Sequence, residues 1–319
     1  MTVTSLVSGG AGFIGSHLCE YLLDKGERVI AVDHLGSGRL DNLSSIIKKD
    51  NDKFMFIRHD IREPLKIGER IDFVYNFASR ASPIDFYTEA VEILMTNSLG
   101  TYNMINLALA NKALFLEAST SESYGDPELS PQPETYWGHV NPIGPRGCYD
   151  ESKRFSEALT MAHVRFHGLD GRIIRIFNTY GPRMRLDDGR VVPNFMTQAL
   201  SGKPMTVYGE GSQTRSFCYI SDLIRGVYLT MQKRDATGEV INLGNPEEMT
   251  VLDFARKIKA MTGSSSEIAF KPLPENDPMQ RRPDITKAKK MLGWEPEVSL
   301  DEGLKITAGW FKDSMNNRI

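Results

Sequence analysis

The sequence predicts an α/β fold with two parts, a doubly wound parallel sheet and a smaller C-terminal α/β lobe. Short apolar runs alternate with stretches of helical periodicity, which is the pattern of βα units. A glycine-rich turn follows the first apolar run, and the second run ends in an acidic residue. We expect residues 1–177 to form the sheet domain and residues 178–319 to form mainly the second lobe, with some segments returning to the sheet.

The first βα unit is defined by its glycines. Val3–Ser8 is a short apolar run that predicts a buried parallel strand, and Gly9, Gly12 and Gly15 follow it. Glycines at this spacing permit a tight turn, close approach of the backbone to a diphosphate and close packing of the next helix. A helix predicted over Phe13–Lys25 would direct its N-terminal amides at that diphosphate. The unit therefore predicts a dinucleotide site of the Rossmann type.

The second apolar run indicates which dinucleotide binds. Arg28–Asp33 predicts a strand, and Asp33 lies 18 residues after Gly15. A carboxylate at this position can accept a hydrogen bond from the ribose 2′-hydroxyl and would repel a 2′-phosphate. We therefore expect NAD rather than NADP. Asp60, after the next strand, either meets the adenine amino group or is an ordinary loop carboxylate.

The βα alternation continues toward the C-terminus. Further strands are predicted at Phe54–Arg58, Phe73–Phe77, Ala113–Ala118 and Arg172–Phe177, and a long helix at Glu89–Asn111. A stretch rich in proline and charge predicts a loop at Lys271–Pro283. Amphipathic helices are predicted at Val251–Met261, Ile285–Leu292 and Leu300–Asp313. Ligands of such sheets bind beyond the carboxyl ends of the strands, so the glycine turn and Thr120 face one crevice.

A tyrosine and a lysine follow in the next predicted helix. Tyr149 and Lys153 are four residues apart and share one helical face. An ammonium beside a phenol favours the phenolate, so Tyr149 can act as a base near neutral pH. An ordinary surface pair has the same spacing. The strand that delivers Thr120 to the crevice favours the functional interpretation.

Composition and charge exclude several function classes. The chain has 38 Lys and Arg against 41 Asp and Glu, so its net charge is −3, and it has no basic field for nucleic acid or an anionic membrane. Three widely spaced cysteines show no metal-ligand spacing, and we expect no metal. We recognise no signal peptide and no apolar run of the ~18 residues that a membrane span needs. We expect a cytoplasmic protein that does not bind a membrane.

Several motifs together resemble a known family. GGAGFIG at 9–15, TSE at 120–122 and YxxxK at 149–153 resemble the extended short-chain dehydrogenases that act on sugar nucleotides. Longer segments narrow the match to the UDP-glucuronate decarboxylases, also called UDP-xylose synthases: YWGHVNPIGPR at 136–146, FNTYGPRM at 177–184 and QRRPD at 280–284. The resemblance covers nearly the whole chain. NFASR at 76–80 departs from the family's usual run, which has proline where this chain has Arg80.

The resemblance implies a cofactor site and a catalytic group. The residues that would bind NAD are Gly9, Gly12, Phe13, Ile14, Gly15, Asp33, Ser37, Gly38, Asp60, Ile61, Phe77, Ala78, Ser79, Tyr149, Lys153 and Thr179. The catalytic residues would be Thr120, Ser121, Glu122, Tyr149, Lys153 and Arg281.

A second set of residues would bind the UDP-sugar in the C-terminal lobe. It comprises Asn178, Arg185, Arg190, Val191, Tyr208, Gln213, Arg215 and Arg281. Arginine forks match phosphate geometry, although solvated surface arginines are the alternative for Arg185, Arg190 and Arg215. The resemblance places Arg281 near the sugar carboxylate.

The reaction implied by the resemblance is decarboxylation of UDP-glucuronate to UDP-xylose, with NAD recycled in place. The related 4,6-dehydratases carry an aspartic acid at the position of Ser121, and a serine hydroxyl is too weak an acid for their dehydration step. A nucleotide-sugar 4-epimerase or 4,6-dehydratase is the enzymatic alternative. An inactive NAD-binding scaffold protein is the alternative from another class, because the fold alone does not decide function.

The family also implies a homodimer. The helical stretches 94–110 and 151–167 carry apolar faces, and the resemblance implies that they pair across the dimer as a four-helix bundle.

Overall fold

The computed structural model describes residues 2–49, 52–273 and 278–316. The strands are β1 Thr4–Ser8, β2 Arg28–Asp33, β3 Phe54–Arg58, β4 Phe73–Asn76, β5 Leu114–Thr120, β6 Gly171–Ile176, β7 Thr179–Tyr180, β8 Met205–Tyr208, β9 Thr214–Ser216, β10 Cys218–Tyr219, β11 Val240–Leu243, β12 Glu248–Thr250, β13 Ile268–Lys271 and β14 Gln280–Arg281. The helices are α1 Phe13–Asp24, α2 Ser44–Ile47, α3 Asp85–Thr88, α4 Ala90–Met95, α5 Thr101–Asn111, α6 Gly147–His167, α7 Val191–Leu200, α8 Ile220–Gln232, α9 Val251–Thr262, α10 Thr286–Leu292 and α11 Leu300–Asn316.

The predicted parallel sheet is confirmed. Within the described residues it has seven strands in the order β11-β6-β5-β4-β1-β2-β3, and every adjacent pair is parallel. The chain moves outward from β1 in one direction through β2 and β3, and in the other through β4, β5 and β6. The crevice at the carboxyl ends of β1 and β4 is thus the point where the strand order reverses, the usual ligand position in such sheets.

Both faces of this sheet are buried. Val7 of β1 and Ile174 of β6 belong to a core that includes Leu18 of α1 and Leu223 of α8. The neighbouring Leu6 belongs to a second core with Met104 of α5, on the opposite face. Successive strand residues point to opposite faces, so apolar residues at consecutive positions cover both sides. This double burial explains why the strands appear in the sequence as continuous apolar runs.

The C-terminal lobe is built from short strands. Strand β9 pairs with β12 on one side and with β14 on the other, and β8 pairs with β13. In contrast, β11 returns to the large sheet, where it pairs with β6. The parallel β14–β9 pairing places Arg281 opposite Arg215, so one short ladder positions both arginines.

Two predicted elements differ in the structure. The long helix expected at Glu89–Asn111 is divided into α4 and α5 by a π-helical turn at Thr96–Gly100. The wider turn places Asn97 where its amide donates to Ser152 of α6 (2.9 Å). The loop expected at Lys271–Pro283 is interrupted as well, because Lys271 ends β13 and Gln280–Arg281 form β14. Residues 274–277 of that loop lie outside the described residues.

Helices of the described segments lack the combination of length and apolar character that a membrane span requires.

The close packing of Gly15 against the turn before it predicts that a side chain at this position would be destabilising. A Cβ at Gly15 would lie 2.1 Å from the carbonyl oxygen of Gly9, which is a backbone atom. We expect Gly15→Ala to lower the free energy of unfolding by about 1–3 kcal/mol and to weaken NAD binding, because α1 must move away from the turn. Urea unfolding measures the first effect and NAD titration the second.

Gly309 offers a matched control in helix α11. A Cβ there would meet no atom within 4 Å, so Gly309→Ala should raise the free energy of unfolding by about 0.5–1 kcal/mol. A Gly15→Ala protein that is as stable as the Gly309→Ala protein would contradict the proposed steric role of the turn.

Candidate active site

Two adjoining cavities lie at the carboxyl ends of the strands. The first has a volume of about 810 Å³ and the second about 640 Å³. The residues that line both are Ala81, Glu122, Tyr149, Asn178, Thr179, Met184 and Arg190. The junction between the cavities therefore contains the predicted tyrosine base and the predicted catalytic glutamate.

The first cavity has the construction of a dinucleotide groove. It is lined by every residue predicted to bind the cofactor: Gly9, Gly12, Phe13, Ile14, Gly15, Asp33, Ser37, Gly38, Asp60, Ile61, Phe77, Ala78, Ser79, Tyr149, Lys153 and Thr179. A Cβ at Gly9 would lie 2.8 Å from the carbonyl carbon of Phe77, and one at Gly12 would lie 3.0 Å from the carbonyl oxygen of Gly9. The turn is thus closely packed and has no side chains at these positions, which allows its backbone to approach a diphosphate.

Asp33 is fixed at one end of this groove. It is only 7% exposed, and its carboxylate accepts hydrogen bonds from the amides of Ala11 (3.1 Å) and Leu35 (2.8 Å). Burial raises the pKa of Asp33 above its ordinary value, although the two amides oppose the shift. The residues present fit a dinucleotide with a free ribose 2′-hydroxyl, because a held carboxylate accepts from a hydroxyl and repels a phosphate.

Asp60 has a partner of its own at the rim of the groove. The guanidinium of Arg62 is 2.6 Å from its carboxylate and holds the pKa of Asp60 below its ordinary value. Its contact with adenine stays a prediction.

Tyr149 lies in the wall between the two cavities. It is 6% exposed, and its ring stacks on Phe86 with a centroid distance of 5.2 Å. Burial raises the pKa of Tyr149 above its ordinary value, and Glu122 adds to this shift, whereas the hydrogen bond with Thr120 and the charge of Arg190 lower it. The protein groups around Tyr149 therefore favour the protonated phenol.

The expected effect of Lys153 on the pKa of Tyr149 stays a prediction, and the lysine has further partners in the structure. The ammonium of Lys153 donates to the carbonyl oxygen of Ala118 (2.8 Å) and lies 3.3 Å from the carboxylate of Glu117. Glu117 is fully buried in β5, so it compensates the ammonium locally. The spacing of Tyr149 and Lys153 could not reveal this third group, which is 36 residues from the lysine.

Glu122 lies between two guanidiniums. Its carboxylate is 2.5 Å from Arg146 and 3.2 Å from Arg281. Burial alone would raise its pKa, but the charges of Arg281 and Arg146 outweigh burial and lower the pKa of Glu122 to about 2. Arg281 also donates to the carbonyl oxygen of Ser121, so it fixes the backbone that carries both predicted catalytic residues. The carboxylate of Glu122 is thus ionised throughout the physiological pH range.

Asp150 is the second carboxyl of this cluster, and it was not among the site residues predicted from the sequence. It is 5% exposed, and its Oδ1 atom has no hydrogen-bond partner among the described residues. Burial and the charge of Glu122 raise the pKa of Asp150 to about 7, against the opposing charges of Arg146 and Arg281. Arg146 was missed as well, although it lies within the motif at 136–146 that carries the resemblance.

The second cavity collects most of the predicted substrate residues. It is lined by Asn178, Arg190, Val191, Tyr208, Gln213, Arg215 and Arg281. Arg185 is not among them: it pairs with Asp85 (2.9 Å) and Asp187 (3.3 Å) and lines the first cavity. Asp85 is buried and lies 100 residues from Arg185 in the chain, so local sequence patterns could not predict this pairing. Thr120 and Ser121 line only the first cavity.

The described residues contain no group of three or more His, Cys, Asp and Glu arranged to hold a metal ion.

Comparisons with known proteins agree with this geometry. The model of the family described as GDP-mannose 4,6 dehydratase matches residues 6–307. UDP-glucuronic acid decarboxylase 1 of Danio rerio is 50% identical over 313 residues, which are 98% of this chain and 73% of the relative. Among solved structures, UDP-glucose 4-epimerase of Thermotoga maritima with UDP-glucose has a TM-score of 0.88 at 32% identity, covering 98% of this chain and all of that one. UDP-glucuronic acid 4-epimerase of Bacillus cereus, in complex with UDP-glucuronic acid and NAD, has a TM-score of 0.85 at 31% identity, with the same coverage.

The raised pKa of Asp150 predicts a dependence of stability on pH. An aspartate has a pKa near 3.9 in an unfolded chain, whereas Asp150 titrates at about 7 in the folded protein. Between these values the folded state binds the extra proton, so this group's contribution to stability is present at low pH and is lost as the pH rises through 7. Asp150→Asn removes the titration, so the stability of the wild type relative to this variant should fall as the pH rises from about 4 to about 7.

Urea unfolding of both proteins at several pH values measures this difference. The exposed Asp24 provides a control for the same chemical change, and Asp24→Asn should give a difference that does not vary in the same way. A constant difference between wild type and Asp150→Asn would contradict the prediction. The groups that face Asp150, namely Glu122, Arg146, Arg281 and Glu151, are unchanged in the variant.

Proposed function

The chain belongs to the family of the GDP-mannose 4,6 dehydratase model and, within it, to the UDP-glucuronic acid decarboxylases, and we propose that it converts UDP-glucuronate to UDP-xylose and carbon dioxide with NAD recycled in place. The main support for this proposal is the junction of the two cavities. There a buried tyrosine base lies beside an ionised glutamate held by two arginines. The first cavity is a dinucleotide groove, and the second cavity is a pocket lined by several arginines.

NAD, when bound, supplies reversible hydride exchange at C4 of the sugar and, in its oxidised form, a positive charge that favours the phenolate of Tyr149. The glycine turn and Asp33 hold the dinucleotide in the groove. Thr120, hydrogen-bonded to Tyr149, orients the phenol toward the C4 hydroxyl, and Tyr149 takes the hydroxyl proton as general base.

Decarboxylation follows from the position of the new ketone. A ketone at C4 is β to the C5 carboxylate, so the electrons of the breaking C–C bond can move into an enolate as carbon dioxide leaves. Arg281 lies where it can pair with the sugar carboxylate, because it is buried next to Glu122 and lines the substrate cavity. The enolate then takes a proton at C5 from water. The C4 ketone would return to an alcohol as C4 takes back the hydride that it gave up and Tyr149 returns its proton.

Ser121 distinguishes this reaction from dehydration. It lies at the end of β5 with its side chain buried, and its hydroxyl cannot supply the proton that would expel a C6 hydroxyl near neutral pH. The sugar nucleotide is held by the second cavity, where Asn178, Arg190 and Arg215 supply donors for the diphosphate. Tyr208, Gln213 and Val191 form the part of the pocket left for uridine.

A 4-epimerase is the second candidate function. The solved UDP-glucuronic acid 4-epimerase of Bacillus cereus shares the fold and binds UDP-glucuronic acid, and an epimerase needs the same tyrosine and dinucleotide. The two reactions differ in the fate of the carboxylate, which an epimerase retains. The identity of 50% to a decarboxylase favours the first candidate.

The proposed activity predicts release of carbon dioxide from UDP-glucuronate. We expect UDP-xylose and carbon dioxide in equal amounts, with no lasting absorbance of reduced cofactor near ~340 nm, because each hydride removed is returned. Mass spectrometry of the sugar product and headspace carbon dioxide measure both. UDP-galacturonate formed without carbon dioxide would instead identify an epimerase.

Tyr149→Phe tests the base in the same assay. Removing the phenolic oxygen should lower kcat by about 10²–10⁴-fold, because general-base catalysis contributes in this range. NAD binding should persist, since the glycine turn is untouched. Full turnover by the variant would exclude Tyr149 as the base.

We also propose that the protein is a homodimer that pairs through the helices at 94–110 and 151–167. Large apolar side chains are exposed on and near these helices: Tyr87, Val91, Leu94, Met95, Leu99, Tyr102, Phe155 and Phe166. Val91 is 65% exposed and Phe166 is 77% exposed. Exposed large apolar side chains concentrated on neighbouring helices are typical of an interaction surface, and we call these eight residues the patch.

A charge in this patch should separate the subunits. We expect the wild type to have the mass of a dimer in light scattering, and Val91→Lys to shift it toward the monomer because the lysine would be desolvated at the interface. Ile306→Lys on α11 is the control, because Ile306 is 46% exposed and lies outside the patch. A monomeric wild type, or equal effects of both variants, would refute this surface.

A further inference from the structure

Arg80 lines the dinucleotide groove. It belongs to the loop after β4, and its side chain reaches the loop after β2, where a Cβ at Gly36 would lie 2.9 Å from Nη2 of Arg80. Strands β4 and β2 are the two neighbours of β1 in the sheet. Arg80 therefore connects two loops that flank the glycine turn after β1.

The guanidinium of Arg80 has no hydrogen-bond acceptor among the residues that the structure describes. Its nearest charged partners are Asp85 at 3.7 Å and Glu89 at 3.9 Å, beyond hydrogen-bonding distance. The carboxylate of Asp85 already accepts two hydrogen bonds from Arg185. The side chain of Arg80 is 20% exposed, and its N–H donors make no hydrogen bond with the described residues.

Other arginines around this groove are engaged differently. Arg62, Arg183 and Arg185 each donate a hydrogen bond to a carboxylate, on Asp60, Glu20 and Asp85 respectively. A partly covered guanidinium without an acceptor in the protein can form charge-assisted hydrogen bonds with a ligand that supplies acceptor oxygens. Asp85 and Glu89 compensate the charge of Arg80 and leave its donors available.

We propose that Arg80 binds the diphosphate of the dinucleotide and closes over it, so that it slows release of the cofactor. A planar guanidinium matches two phosphate oxygens, and the groove below Arg80 is the one built for a diphosphate. A sugar nucleotide carries the same chemical group. The position favours the dinucleotide, because Arg80 lines the first cavity and is absent from the lining of the second.

Slow release matters for the reaction proposed above, on which this role of Arg80 rests. A cofactor that leaves between the two hydride exchanges would strand the C4-keto sugar. Retention by Arg80 therefore keeps each turnover redox-neutral, whereas binding of the cofactor itself depends mainly on the glycine turn.

The release rate of NAD from the full-length protein tests this role. The variants are Arg80→Gln, which removes the charge at similar length, and Arg80→Lys, which keeps the charge but not the fork. Arg58→Gln is the control, because Arg58 is exposed at the end of β3 and does not line the cavity. We expect Arg80→Gln to release NAD about 10–100-fold faster, Arg80→Lys to be intermediate and Arg58→Gln to match the wild type.

Two further measurements separate binding from folding and from substrate binding. Melting temperatures without ligand should be equal in the wild type and Arg80→Gln, while the increase caused by NAD should be smaller in the variant. The affinity for UDP should be unchanged. With UDP-glucuronate as substrate, the variant should still release carbon dioxide but should form more free keto sugar and more lasting reduced cofactor.

Three results would overturn the proposal. An unchanged NAD release rate in Arg80→Gln would remove the role, whatever the activity. A weaker affinity for UDP with normal NAD release would assign Arg80 to the sugar nucleotide instead. A loss of stability that is the same with and without NAD would make Arg80 a structural residue. Each of these results leaves carbon dioxide release, and with it the proposed function, intact.

Discussion

The catalytic end of the molecule depends on one ionic contact, the carboxylate of Glu122 between Arg146 and Arg281. Its three members come from different parts of the chain: the turn after β5, the residue before α6, and β14 of the C-terminal lobe. A buried carboxylate is costly unless it is paired and hydrogen-bonded. The contact therefore forms only when the lobe is docked on the sheet, and the site is complete only in the folded whole.

The same contact sets the charge around Tyr149. Two guanidiniums meet one ionised carboxylate and a second carboxyl, Asp150, whose pKa is raised to about 7 by burial and by Glu122. Asp150 therefore gains or loses its proton near neutral pH, and the net charge of the cluster changes by one unit there. The sugar carboxylate of the proposed substrate would meet arginines that already share Glu122, and the proposed role of Arg281 depends on its remaining charge.

The sequence predicts best those structural features that are determined within a short segment of the chain. The glycine turn, Asp33 and the strands follow from local spacing and from alternation, and all of the predicted cofactor residues line one cavity. The resemblance added Arg281, which no spacing could have placed beside Glu122. The misses are long-range: Glu117 compensates Lys153, Asp85 holds Arg185, and Arg146 shares Glu122. In each case a carboxylate and a cation far apart in the chain meet only through packing, and the sequence does not contain that information locally. The π turn in the predicted long helix belongs to the same class, because its cause is a contact with α6.

Burial links the chemistry to the retention of the cofactor. Tyr149 is nearly inaccessible and stacks on Phe86, so the charge that makes its phenolate favourable has to come from groups within the site rather than from water. Lys153 is compensated by Glu117, and Arg190 is held by Asp188 at 2.8 Å, so the protein's own cations near the phenol are partly neutralised. The proposed base would therefore gain most from the positive charge of the oxidised dinucleotide. Retention of the dinucleotide by Arg80, as proposed above, would thus also prolong the time for which Tyr149 can act as a base.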